Sequence, residues 1–225
     1  MRNGILFDLD GTLWDSAENV THSWNHVLQQ SGRNERLTVA RMYTLMGKTT
    51  DAIAAELFPE EKSEEAMRIL KACMEEENSY LLKHGGRLYD NLEEVLKELK
   101  TKGYFLGIVS NCQEGYIEAF LTYHHLEAYF DDTENYGRTG YGKGTNIRLV
   151  MKRGRLGSVL YLGDTRGDYE AAKEAGVFFL HAAYGFGSVP SGTPSISDIR
   201  LLPDAADRWL VSERGKWTLE GEKHR

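Results

Sequence analysis

Cysteine is scarce in this chain, and the sequence contains no long hydrophobic run. Cys73 and Cys112 are the only two cysteines among 225 residues, and they lie far apart without a pairing motif. This pattern predicts reduced thiols in a cytoplasmic protein, because disulfide frameworks use patterned cysteines in an oxidising compartment. No apolar run approaches the roughly 20 residues of a membrane-spanning helix, and the first predicted strand begins too early to leave room for a signal peptide. We therefore expect no membrane association.

Positive charge is also in deficit. The chain has 27 lysines and arginines against 34 aspartates and glutamates, which gives a net charge of −7 at pH 7. This balance argues against nucleic acid or an anionic membrane surface as the main partner. Apolar residues make up 41% of the chain, enough for a sizeable core and too many for a disordered segment. An anionic substrate would need local positive charge from a metal ion or a lysine.

Two kinds of hydrophobic pattern divide the chain. Residues 4–9 form a short apolar run typical of a buried strand, and strands and helices alternate through the C-terminal part. This alternation predicts an α/β fold with a parallel sheet and helices on both faces. The segment between them shows only helical periodicity, in about four helices. We therefore predict a core of residues 1–14 and 85–225 with an inserted all-helical domain of residues 15–84, and hinges near the two junctions.

Polar residues follow three of the predicted strands, at the point where each strand ends. These residues are Asp8, Asp10, Ser110, Asn111, Asp164 and Asp168. Because the carboxyl ends of parallel strands meet at one edge of a sheet, we expect the four carboxylates to lie close together. Such acids cannot all stay ionised without a cation. Carboxylate oxygens with few histidines nearby favour Mg²⁺ over zinc.

The segments DLDGT, SN and GDTRGD occur in this order, with a lysine between the last two. Together they resemble the motif set of the haloacid dehalogenase-like hydrolases, and the resemblance covers nearly the whole chain. It implies a Rossmann-like core with an inserted helical cap, as in the phosphoglycolate phosphatase-like members of that family. It also implies hydrolysis of a small phosphate monoester through an aspartyl-phosphate intermediate.

The resemblance implies a role for each motif residue. Asp8 becomes the nucleophile, Asp10 the general acid and base, and Ser110 and Asn111 phosphate-binding residues. A carboxylate is a weak nucleophile towards a phosphate dianion, so Mg²⁺ and a lysine must screen the phosphoryl charge.

The same resemblance implies the ligands of the magnesium ion. Asp8 and Asp164 would bind Mg²⁺ together with the backbone carbonyl of Asp10, and Asp168 would support the metal shell. These are the acids that the predicted strand ends already bring to one edge.

The motif lysine is assigned to Lys143. The segment TGYGKGTNIRLV puts it just before a predicted helix near the strand ends. Many relatives have prolines after this lysine, whereas Gly144 and Thr145 follow here. Lys152 and Arg138 lie nearby in the sequence and are predicted to be solvated surface charges.

Several residues of the helical insertion receive predictions of their own. Lys48 and Thr50 are predicted substrate contacts, because the resembling enzymes have a cap loop here that reaches the substrate. Ser16 is predicted to cap the first cap helix. The run Glu75-Glu76-Glu77 is predicted to form a solvated helix face.

The combined prediction is a Mg²⁺-dependent phosphatase that acts on a small phosphorylated metabolite, as a monomer or homodimer. One alternative is a sugar-phosphate mutase of the same superfamily, whose relatives keep a histidine at the position of Val20. A second alternative is a non-catalytic binding module on this fold. The four intact acids at the strand ends argue against that module.

Overall fold

The structure, a computed structural model, describes residues 2–34, 36–60 and 62–211. Within these ranges the chain forms eight strands, which are β1 (Arg2–Phe7), β2 (Trp14–Asp15), β3 (Arg87–Leu88), β4 (Phe105–Ser110), β5 (Asp132–Asn135), β6 (Leu156–Gly163), β7 (Phe178–Ala182) and β8 (Ser195–Ile196). The α-helices of the same ranges are α1 (Ala17–Gln30), α2 (Val39–Leu45), α3 (Thr50–Leu57), α4 (Ser63–His84), α5 (Leu92–Thr101), α6 (Tyr116–His124), α7 (Tyr136–Thr139), α8 (Lys143–Gly154), α9 (Arg166–Ala175) and α10 (Leu202–Ala206).

Six strands form one parallel sheet in the order β5-β4-β1-β6-β7-β8. The first strand lies near the centre, where Phe7 is paired with Ile108 of β4 on one side and with Leu162 of β6 on the other. The polar residues that follow β1, β4 and β6 therefore emerge side by side. The predicted α/β fold with a parallel, Rossmann-like sheet is confirmed.

Apolar side chains cover both faces of the sheet. Successive residues of a strand point to opposite faces, and β1 follows this rule closely. Ile5 and Phe7 join one apolar cluster with residues of α5 and α6, whereas Leu6 joins a second cluster with residues of α8 and α9. All three side chains are fully buried, and each such burial stabilises the fold by about 1.5–3 kcal/mol.

Four helices, α1 to α4, are inserted between β2 and β3. These two short strands pair antiparallel, with Trp14 opposite Leu88 and Asp15 opposite Arg87. The paired strands lie at the two predicted hinges, and the division into core and cap domains stays a prediction. Among the described helices, none combines the length and the apolar composition that a membrane crossing requires.

The structure differs from the sequence-based prediction at short elements. The sequence pattern of residues 129–131 predicts a short strand, but Glu127–Tyr129 is a 3₁₀ turn and β5 begins only at Asp132. The Gly-, Ser- and Pro-rich composition of residues 185–198 predicts a surface loop, and this segment contains β8, a two-residue edge strand too short to show alternation. The sequence also predicts a last helix over residues 204–212 and a mobile polar tail after it. Residue 212 and that tail lie outside the described residues.

Gly85, which links α4 to β3, offers a test of the junction between cap and core. Its backbone has φ 61° and ψ −155°, a conformation that essentially only glycine adopts. A Cβ here would also lie 2.1 Å from Cε1 of Tyr123. We predict that Gly85→Ala lowers the free energy of unfolding by more than about 2 kcal/mol, measured by urea denaturation.

The matched control is Gly103→Ala. Gly103 also has a positive φ, 82°, but a Cβ there would meet no atom within 4 Å. Its substitution should cost only about 1 kcal/mol. If both variants lost the same free energy of unfolding, the contact with Tyr123 would not be a cause of the destabilisation by Gly85→Ala.

Candidate active site

Three buried carboxylates meet at the carboxyl edge of the sheet. Asp8 follows β1, and Asp164 and Asp168 follow β6. One ligand oxygen from each lies within 4.8 Å of the others. Each residue is at most 2% exposed. The sequence predicts that four acids lie close together at this edge, and in the structure three of them do.

A tight turn after Asp10 brings the chain against Asp164. Gly11 has φ 78°, and a Cβ on it would lie only 2.3 Å from Oδ2 of Asp164. Glycine is required here both for the positive φ and for the close approach. The backbone N–H groups of Phe186 and Gly187 donate to the same Oδ2 at 3.1 and 2.7 Å. Asp164 is thus fixed by backbone on two sides.

Lys143 reaches the carboxylates from the first turn of α8. Its Nζ donates to Oδ1 of Asp8 at 2.8 Å and to Oδ1 of Asp168 at 2.5 Å, and its side chain is 3% exposed. Lys152 is exposed, and Arg138 forms surface ion pairs away from this cluster. Of the three candidate cations, Lys143 is the one that contacts the acids.

Asp168 has two structural connections. Its Oδ2 accepts from the backbone N–H of Thr165 at 2.9 Å, and its own N–H donates to Oγ1 of Thr165 at 3.2 Å. This reciprocal cap begins α9. The other carboxylate oxygen binds Lys143. Asp168 therefore fixes the lysine relative to the sheet edge.

Negative charge exceeds positive charge in this cluster. Burial, together with the charge of Asp168, raises the pKa of Asp8 to about 7 and that of Asp164 to about 8. Oδ1 of Asp164 is buried and has no hydrogen-bond partner. An oxygen-only donor set with an orphaned carboxylate oxygen fits a divalent metal ion. The side chain of Asp10 is not part of this set, and the prediction for Asp10 concerns its backbone carbonyl.

Asp10 is held by two hydroxyl groups. Its Oδ1 accepts from Oγ of Ser16 and from the hydroxyl of Tyr116, each at 2.8 Å, and these two hydroxyls lie 2.7 Å apart. Burial raises the pKa of Asp10 to about 6, and the hydrogen bonds oppose that rise. Ser16 occupies the N-cap position of α1 as predicted, but its side chain makes no cap hydrogen bond and binds Asp10 instead. The contact between Tyr116 and Asp10 could not be predicted from the sequence, because helical periodicity predicts that Tyr116 is buried but does not identify its hydrogen-bond partner.

A cavity lies between the sheet edge and the cap. Ser110, Asn111 and Lys48 are among the residues that line it. The side-chain amide of Asn111 donates to a backbone carbonyl of the cap loop at 2.9 Å, and Lys48 is ion-paired with Glu56. Thr50 instead lines a separate groove. Its position therefore does not support the predicted substrate contact.

The glutamate run of α4 is not a uniformly solvated face. Glu75 is exposed, but Glu77 is 5% exposed and lines the same cavity. A helix turns by about 100° per residue, so two residues of separation carry Glu77 to the inner face. The prediction of a solvated face is wrong for Glu77.

The fold is an α/β fold with a parallel sheet, and a cluster of buried acids and one lysine lies at the carboxyl edge of that sheet. A sequence model of the haloacid dehalogenase-like hydrolases matches residues 5–182, and the chain belongs to that family.

The relatives of this chain include curated phosphatases. It is 28% identical to a phosphoglycolate phosphatase of Aquifex aeolicus over 197 residues, covering 86% of this chain and 90% of the relative. It is 27% identical to one of Aliivibrio fischeri over 229 residues, covering 96% and 94%. The crystal structure of a predicted phosphatase from Clostridium acetobutylicum matches with a TM-score of 0.77 at 23% identity, over 92% of this chain and 99% of that one, which supports the fold. The predictions of the family and of a phosphatase enzyme are confirmed.

The buried acids predict how stability depends on pH in metal-free protein. The pKa of Asp8 is raised to about 7, and those of Asp164 and Glu77 are raised to about 8. The folded state therefore binds more protons than the unfolded chain between about pH 5 and pH 8. In excess chelator, the free energy of unfolding should fall as pH rises through this window, by roughly 1–3 kcal/mol per pH unit.

A saturating divalent cation should reduce this dependence, because it replaces the protons on the clustered acids while the contribution of Glu77 remains. The measurement is urea denaturation at several pH values with and without the cation. Asp164→Asn is the informative variant, since it should reduce both the slope and the effect of the cation. A stability that rises with pH across the window in chelator would contradict the burial of unneutralised acids.

Proposed function

We propose that this chain is a Mg²⁺-dependent phosphatase that hydrolyses a small phosphate monoester through an aspartyl-phosphate on Asp8. One observation carries the proposal. Asp8 is held by Lys143 within the carboxylate cluster, while Asp10, two residues further on, is held outside that cluster by hydroxyl groups. One acid is thus oriented for attack and the other is free to move protons. The curated phosphoglycolate phosphatases support a small phosphorylated metabolite as the substrate class.

The residues that would hold Mg²⁺ are Asp8 and Asp164, with the backbone carbonyl of Asp10, and Asp168 would support this metal shell. When bound, the ion supplies charge that screens the phosphoryl oxygens and the clustered acids. The donor set of these described residues contains oxygen only, which suits Mg²⁺ better than zinc.

The first step is phosphoryl transfer to the protein. A carboxylate oxygen of Asp8 bonds to phosphorus, and the ester P–O bond breaks. The leaving oxygen takes a proton from Asp10, whose pKa of about 6 suits proton transfer near neutral pH. Lys143 orients Asp8 and balances part of the charge that gathers at phosphorus.

The second step releases phosphate. A water oxygen bonds to phosphorus, its proton passes to Asp10, and the bond between phosphorus and Asp8 breaks. The enzyme then returns to its starting protonation state. Ser110 and Asn111 line the cavity next to Asp10 and are the proposed contacts for the phosphoryl oxygens. The cap above them limits access of bulk water during transfer.

The alternatives have less support. Val20, at the position where the mutase relatives keep a histidine, lines the cavity. Its apolar side chain can neither take nor give a proton, which favours a phosphatase over a mutase. Lys143 joins Asp8 and Asp168 in one buried set. This arrangement supports a working site and disfavours a non-catalytic module.

Asp8→Asn should abolish turnover without loss of folding. The variant lacks the attacking carboxylate, so the rate of p-nitrophenyl phosphate hydrolysis at saturating Mg²⁺ should fall by at least about 10³-fold. Asp90→Asn is the matched control, because Asp90 is exposed and lies outside the site. Activity of Asp8→Asn within about tenfold of the unmutated enzyme would refute Asp8 as nucleophile.

Asp10→Asn should separate good leaving groups from poor ones. An alkyl phosphate needs a proton on its leaving oxygen and should lose about 10²–10⁴-fold more rate than p-nitrophenyl phosphate. Tyr116→Phe removes one of the hydroxyls that position Asp10, and its effect should be smaller and in the same direction. The measurement is the ratio of mutant to wild-type rate for both esters. Equal losses on the two esters would argue against proton donation by Asp10.

A further inference from the structure

The cavity between cap and sheet edge has a volume of about 50 Å³ and opens directly on the proposed acid, Asp10. A leaving group bonded to a phosphoryl group at Asp8 would extend into this space. Its outer end would therefore meet the cap residues that form the far wall. Trp24 of α1 and Glu77 of α4 contribute to that wall.

Glu77 is a buried acid that no cation neutralises among the described residues. Its side chain accepts from Nε1 of Trp24 at 2.7 Å. No salt bridge to it occurs within residues 2–34, 36–60 and 62–211. Burial, with a smaller contribution from the charge of Asp10, raises the pKa of Glu77 to about 8. Burying such a group without a positive partner is costly, so a ligand that supplies the partner gains free energy here.

The positive charge at the cavity is already engaged. Lys48 is the only cation among the described lining residues. It is ion-paired with Glu56, which also accepts from Arg41 at 2.8 Å. The unbalanced groups that face the cavity, Glu77 and Asp10, are therefore both acids.

The rest of the cap wall is apolar. It includes Met42, Leu45 and Met74, all at most 8% exposed. Such side chains suit the carbon atoms of a short alcohol and offer no hydrogen bond to a polar outer end. Within the described cap wall, Glu77 is the charged group that lacks an ion-pair partner, since Lys48 is paired with Glu56.

We propose that Glu77, oriented by Trp24, selects the leaving group of the substrate. The preferred group is a short alcohol whose outer end carries a hydrogen-bond donor, a hydroxyl or an ammonium, rather than a carboxylate. A hydroxyl or an ammonium gives the buried Glu77 carboxyl group a hydrogen-bond donor and stabilises its ionised form. A carboxylate opposes that ionisation and finds no unpaired cation among the described residues of the cap wall. Phosphoglycolate, named in the curated relatives, carries a carboxylate at that end. This inference rests on the proposed function, since it concerns the group that leaves from phosphorus.

The test is a set of two-carbon phosphate esters that differ only at the outer end. These are 2-hydroxyethyl phosphate, phosphoethanolamine, phosphoglycolate and ethyl phosphate. We expect kcat/KM of the unmutated enzyme for at least one donor-bearing ester to exceed that for phosphoglycolate by about tenfold or more. A kcat/KM for phosphoglycolate equal to or above that of both donor-bearing esters would overturn the inference.

Glu77→Gln tests the residue itself. The amide can still accept a hydrogen bond from Trp24 but cannot ionise, so it no longer favours an ammonium over a carboxylate. The ratio of kcat/KM for phosphoglycolate to that for phosphoethanolamine should therefore rise by about tenfold. Glu75→Gln, on the exposed side of the same helix, should leave the ratio unchanged. An unchanged ratio in folded Glu77→Gln refutes the role of Glu77. If that variant does not fold, the preference of the unmutated enzyme among the four esters decides whether the inference stands.

Hydrolysis of p-nitrophenyl phosphate separates this inference from the proposed function. If p-nitrophenyl phosphate is hydrolysed and the four esters are not discriminated, the inference fails and the phosphatase proposal stands. If neither p-nitrophenyl phosphate nor any ester is hydrolysed at saturating Mg²⁺, both fail.

Discussion

Buried negative charge at the carboxyl edge of the sheet exceeds the positive charge that the chain supplies there. Asp8, Asp164 and Asp168 meet within 4.8 Å, and Lys143 is the cation that contacts two of them. The fold imposes this crowding, because β1 and β6 are neighbours and end at the same level. The close turn at Gly11 helps to hold the acids together against their repulsion. A divalent cation held there would relieve that repulsion, and in the proposed function the same cation serves phosphoryl transfer.

The central part of the site could be predicted from the sequence. Asp8 and Asp164 follow strands, and an alternating pattern of strands and helices predicts a parallel sheet whose edge gathers them. Lys143 could be separated from Lys152 because it begins a helix near that edge. In each case, position along the chain determined position in space. The short strands β2, β3 and β8 could not be predicted, since two residues carry no alternation.

The partners of polar side chains inside the fold could not be predicted in this way. Ser16 looked like a helix cap, but its hydroxyl binds Asp10 together with Tyr116, which lies 106 residues away from Asp10. Glu77 belongs to a run of three glutamates, yet helix rotation turns it into the cavity while Glu75 stays exposed. In the proposed function the chemistry depends on residues at strand ends, whereas the proposed selection of the leaving group depends on cap residues whose partners only the fold reveals.

Proton release on binding of Mg²⁺ tests the central claim most directly. Acids with raised pKa values are partly protonated at pH 7, so a cation that occupies the cluster must displace protons into the buffer. Calorimetric titrations of Mg²⁺ into metal-free protein, in buffers of different ionisation enthalpy, count these protons. The account predicts release of about one proton or more per bound ion. Binding without proton release, or no binding at all, would contradict it.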